Sequence, residues 1–137
     1  MITTRVIQII IGIAGLGALL LGLLIWIANV NVTSIHMLFG LIVTLTLLVM
    51  SIIAVSTRGM RIWGIAGIVY ALIVPVFGLA QFDILTGNLH WLIRTAHMLV
   101  GIGAMALAGI MSARYKALKH IIAKPASEPQ LTGEQLS

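Results

Sequence analysis

The chain has 137 residues, of which 61% are hydrophobic and only 8% are Asp, Glu, Lys or Arg. Soluble domains carry about 25% charged residues, so this composition excludes a water-coated globule, and it excludes disorder over most of the length. The net charge of +5 does not point to nucleic acid, because the cations sit between and after long apolar runs. With no cysteine in the chain, disulfides, thiolate metal sites and iron–sulfur clusters are also excluded.

A membrane-spanning helix needs about 20 mostly apolar residues. Four such runs follow one another, at roughly 6–28, 33–55, 62–80 and 92–112. They are continuous rather than alternating, and four strands could not close a barrel, so the expected fold is an all-α membrane protein with four transmembrane helices. The first run exceeds the 7–15 residues of a signal-peptide core and no small-x-small cleavage site follows it, so it reads as a retained helix. Pro75 lies inside the third run and is expected to kink it. Trp26, Trp63 and Trp91 lie near run ends, as interfacial anchors do. Residues 113–122 read as a helical extension along the membrane surface, with its cations near lipid phosphates. The expected bundle thus covers residues 1–122. Residues 123–137, with Pro125, Pro129, Glu128 and Glu134, read as a disordered tail.

Arg5 precedes the first run, Arg58 and Arg61 separate the second from the third, and Arg114, Lys116, Lys119 and Lys124 follow the fourth. The other two connections hold only Asp83, with Arg94 just inside the fourth run. The positive-inside rule then predicts that both termini are cytoplasmic and that residues 29–33 and 81–91 face outward, as in a bacterial cytoplasmic membrane.

The second run contains His36-Met37-Leu38-Phe39-Gly40 and the fourth His97-Met98-Leu99-Val100-Gly101, an offset of 61 that also pairs Val49-Met50-Ser51 with Ile110-Met111-Ser112. Gly12-Ile13-Ala14-Gly15 echoes Gly64-Ile65-Ala66-Gly67 at an offset of 52. The pattern predicts two repeated helical hairpins related by an axis along the membrane normal, with His36 and His97 facing each other in the outer leaflet.

Ionisable residues inside spans are costly and usually functional. Here they are His36, Arg94 and His97; no Asp or Glu lies within a run, which argues against a carrier that cycles a buried carboxylate. Two histidines from different helices at one depth are what a six-coordinate haem b requires. Gly40 and Gly101 follow them at i+4 on the same faces and leave room for a flat macrocycle. Arg94, one turn outward from His97, suits a haem propionate, with an interfacial position or a pair with Asp83 as its alternative, and His90 reads as either a second propionate contact or a plain interfacial residue. Interhelical hydrogen bonding by the two histidines and a copper or zinc site remain alternatives, since imidazole and thioether suit Cu(I). His120 reads as a surface residue.

A four-helix bundle with histidines on its second and fourth helices resembles b-type membrane cytochromes, and more narrowly one half of haem A synthase. That resemblance covers residues 1–115 and implies a haem held by His36 and His97. The catalytic half of that enzyme also uses a glutamate near its haem, and no intramembrane glutamate stands here. The expected role is therefore electron transfer, with a quinol or a redox protein as partner, rather than complete enzyme chemistry. The alternatives are a non-redox accessory subunit of a larger complex and a metal-binding membrane protein. The small residues Gly12, Gly15 and Gly22 suit either a homodimer contact or internal packing.

Overall fold

The computed structural model describes residues 2–81, 83–84 and 87–123. It consists of α1 (Ile2–Ala28), α2 (Thr33–Val55), α3 (Arg61–Ala80) and α4 (His90–Ala123), with no strand among the described residues. All four helices are long and apolar enough to cross a membrane. Large apolar side chains such as Ile13, Leu45, Leu72 and Leu99 project outward from each helix and fit contact with lipid. The sequence predicted the interior boundaries well. The expected tail beyond Ala123 lies outside the described residues, as do Phe82, Leu85 and Thr86.

Short connections make successive helices antiparallel. Asn29 closes the first turn in the left-handed region at φ 52, which Asn tolerates through its short polar side chain. Gly59, at φ 87, lets the chain reverse between α2 and α3. Around the bundle each helix touches its neighbours in chain order, and α4 closes the ring against α1. Across the ring α2 touches α4, whereas α1 does not reach α3. The two histidine-bearing helices therefore form the short diagonal.

The core is densest in the half nearer the cationic ends. Leu47, Met50, Ser51, Ala54, Met60, Ala108, Met111 and Ser112 are almost wholly shielded there. Two glycines of α3 permit this packing. A Cβ on Gly64 would stand 2.5 Å from the Val55 nitrogen, and one on Gly67 would overlap the Ser51 hydroxyl. At the offset of 61, Val43, Leu47, Met50 and Ser51 match Ala104, Ala108, Met111 and Ser112, all buried.

The offset of 52 does not carry over to position: Gly12 and Ala66 are exposed, whereas Gly64 and Ala14 are buried. The matching environments instead pair Ile11, Gly15 and Gly22 with Gly67, Ala71 and Gly78, an offset of 56. The difference is about one helical turn. The outer connection of the second hairpin is then longer than that of the first by five residues, the difference between offsets of 61 and 56, not by nine.

The 113–122 extension continues α4 without a break, as expected, because no Gly or Pro follows Gly109 until Pro125. Lys116 Nζ donates to Gln8 Oε1 at 2.6 Å, and Tyr115 and Leu118 pack on the core, so the extension stays in contact with α1 and the bundle. At the same end the Arg114 guanidinium sits 4.5 Å above the Trp63 ring, a cation–π contact that joins α4 to α3.

These contacts predict that Gly64→Val lowers the thermal unfolding midpoint of the detergent-solubilised protein, by an overpacking penalty of about 1–3 kcal/mol. Gly12→Val is expected to leave it unchanged, because a Cβ there meets nothing within 4 Å. Equal midpoints for the two variants would contradict the packing described.

Candidate functional site

His36 lies in the first turn of α2 and His97 in the second turn of α4. Each shares a helix face with a glycine at i+4 and with buried core residues further along, Val43 and Leu47 on α2, Ala104 and Ala108 on α4. Burial of those lower turns on the short diagonal aims both imidazoles at the bundle axis. Their ring centres are 6.0 Å apart, with planes inclined at 64°. Metal–imidazole bonds of about 2.0 Å on each side, plus the distance from each nitrogen to its ring centre, require about 6 Å.

The two rings are held differently. His36 Nδ1 is 2.9 Å from the carbonyl oxygen of Ala18 on α1. A carbonyl only accepts, so Nδ1 carries the proton and donates, which leaves a lone pair on Nε2. A backbone carbonyl behind the imidazole is how metal-binding histidines are usually oriented. His97 Nδ1 is buried and has no partner. A glycine of the preceding helix backs each ring: a Cβ would stand 3.2 Å from His36 Cε1 at Gly22, and 3.3 Å from His97 Cε1 at Gly78. Phe77 lies parallel to the His97 ring, with centres 6.5 Å apart.

Around these rings the bundle encloses a cavity of about 640 Å³, walled mostly by apolar side chains from all four helices. This is within the range of about 300–1,000 Å³ that suits a ligand or cofactor. His36, His97, Gly40, Gly101, Arg94 and His90 all line it, so the residues expected from the sequence converge on one space. A Cβ at Gly40 or Gly101 would meet nothing within 4 Å, so both glycines border open volume. Arg94 is half-buried in the wall, and His90 Nδ1 is buried without a partner. His120 is exposed in the last turn of α4, away from the cavity.

Sequence reasoning missed the backing glycines as part of the site and gave Gly22 to a packing face. It missed the Ala18 carbonyl and Phe77, and it read Trp26, which lines the cavity, only as an interfacial anchor. A glycine near the histidine's height on the preceding helix of each hairpin was the available signal. Among the described residues no group of three or more His, Cys, Asp or Glu side chains converges, so the imidazole pair is the donor set of this kind.

Comparison with family models, curated proteins and solved structures returns no match to this chain.

Nitrogen-15 NMR of histidine-labelled protein in micelles is expected to show His36 protonated at Nδ1 and bare at Nε2. The opposite tautomer would contradict the Ala18 hydrogen bond.

Proposed function

We propose that this chain is a small b-type cytochrome that holds one haem b between His36 and His97. The observation that carries the reading is the pair of imidazoles from α2 and α4, 6.0 Å between ring centres, that line one cavity bordered by two glycines. Two imidazoles alone leave a tetrahedral zinc site half complete, whereas His36 and His97 would suffice to hold a tetrapyrrole that supplies its remaining donors itself. When bound, such a group would exchange single electrons.

The protein's own part is positional. Ala18 fixes the His36 tautomer, Gly22 and Gly78 limit how far the rings can turn, and Gly40 and Gly101 admit a flat ring. Arg94 and His90 sit in the wall outward from His97 and are suited to receive two propionates. An apolar wall keeps water from the centre and favours a charge change of one electron over ligand exchange. The hairpins act as repeats about an axis along the membrane normal, with residues matched at offsets of 61 and 56. The cationic end faces the cytoplasm together with both termini, which puts the haem near the outer face of a bacterial cytoplasmic membrane. A quinol or a redox protein is the electron partner.

One observation favours a second reading. Met37, Met98 and Met105 line the same cavity, and thioether with imidazole suits Cu(I). Stoichiometric copper in a colourless protein would select it.

Protein purified in detergent is expected to show a Soret band and sharp reduced α and β bands. His36→Ala and His97→Ala should each abolish the six-coordinate spectrum, and His120→Ala should leave it intact. Wild-type spectra from both ligand variants would defeat the assignment.

Arg94→Ala removes a positive charge that favours the reduced centre, so the midpoint potential should fall, by on the order of 50 mV. An unchanged potential together with unchanged haem retention in redox titration would remove Arg94 from the site.

A further inference from the structure

The two long sides of the cavity are unequal. On α2, Met37, Thr44, Ser51 and Val55 lie on one stripe at i, i+7, i+14 and i+18, and on α3 Gly64, Pro75 and Leu79 form the facing stripe. In the cationic half this seam is shut, because Gly64 and Gly67 admit Ser51 and Val55 without a gap. In the histidine half Met37, Thr44, Pro75 and Leu79 line the cavity while Met37 and Leu79 are 50% and 58% exposed. There the cavity wall and the lipid-facing surface are the same residues.

The opposite seam, between α4 and α1, is the counterpart. Offsets of 61 and 56 match Thr44 to Met105 and Ala71 to Gly15. The Met105 thioether presses into the space a Cβ of Gly15 would fill and shuts the seam at that level, while Ile102, one turn outward, lines the cavity and is 41% exposed. Where one seam has this long side chain, the other has a short threonine.

Pro75 adds a hinge to the open seam. It has no N–H to give the carbonyl of Ala71, which is the common cause of a helix bend. The missing bond lowers the cost of bending α3 beside the seam, while the N–H groups of Val76, Phe77 and Gly78 still bridge the proline to the turn before it. Both backbones that flank the seam are helical, so opening toward lipid exposes little polar surface.

We infer that the α2–α3 seam is a lateral entrance through which a tetrapyrrole passes from the lipid phase into the cavity. The inference rests on the haem reading. Its occupant follows from the seam's chemistry: an apolar passage at membrane depth admits a flat apolar ring, while Arg94 and His90, farther out, meet the carboxylates at its edge. The α1–α4 seam is the closed side.

The test loads apoprotein in liposomes with haem dissolved in the lipid and follows the Soret band. The rate constant, taken from the approach to each variant's own final amplitude, should fall about tenfold in Thr44→Phe and not in Ile102→Phe, which crowds the closed seam. Wild-type loading by Thr44→Phe, or equal slowing by both variants, would overturn the entrance. A second measurement needs no haem. The chain has no cysteine, so Thr44→Cys and Ser51→Cys each carry one thiol, one in the open half of the seam and one in its shut half. A bilayer-soluble uncharged maleimide should label position 44 about tenfold faster than position 51; equal rates would show the seam shut along its whole length. No Soret band in any variant defeats the haem reading and with it the tetrapyrrole, while the labelling ratio still reports whether the seam is open.

Discussion

The contact between α2 and α4 across the bundle governs everything else in this structure. The residues buried deepest on the two helices include Ala104 and Ala108 on α4 and Leu47 and Met50 on α2, with a buried serine on each, Ser51 and Ser112. In lipid there is little hydrophobic drive to bring helices together, so close approach depends on small side chains and good packing. The diagonal is tight in the cationic half. Toward the histidines, bulk disappears from both helices, at Gly40 and Gly101, and a space opens between the same two backbones. One half of the molecule is a clamp and the other is what the clamp holds apart.

Much of this is legible in the residue order, and the reasons are specific. Long unbroken apolar runs fix helix number and extent, because a bilayer tolerates no other backbone arrangement of four segments. At the offset of 61 the matched residues share their burial, and histidine, methionine and serine are scarce enough for their recurrence to carry information. At the offset of 52 burial does not match, and because Gly, Ile and Ala are abundant here a four-letter match comes cheaply. The relation at 56 pairs unlike letters, such as Ile11 with Gly67, and only burial shows it. Residues 113–122 continue the last helix as their composition implies, while their link to α1 through the Lys116–Gln8 bond left no mark in the sequence.

The candidate site divides in the same way. Rare polar residues on one helix face identified the imidazoles, Arg94 and His90. What orients the imidazoles stayed hidden. Any residue has a carbonyl, so nothing in the letter at position 18 marks Ala18 as an acceptor for His36. Gly22 and Gly78 touch the rings through the absence of a side chain, and absence is ambiguous in a chain with 14 glycines. Only the packing of one helix against the next tells a backing glycine from an exposed one.

The unlike footing of the two imidazoles has a consequence for how a symmetric-looking pair behaves. One ring is tethered through Nδ1 to a helix carbonyl, and the other has its buried Nδ1 unengaged. A tethered imidazole is the more electron-rich donor and loses less rotational freedom on bonding. In the proposed cytochrome His36 would therefore hold the group more firmly than His97. Assembly would then have a direction, with capture on the first hairpin and closure by the second, and under thermal stress or competition from a small exogenous ligand the His97 side would yield first.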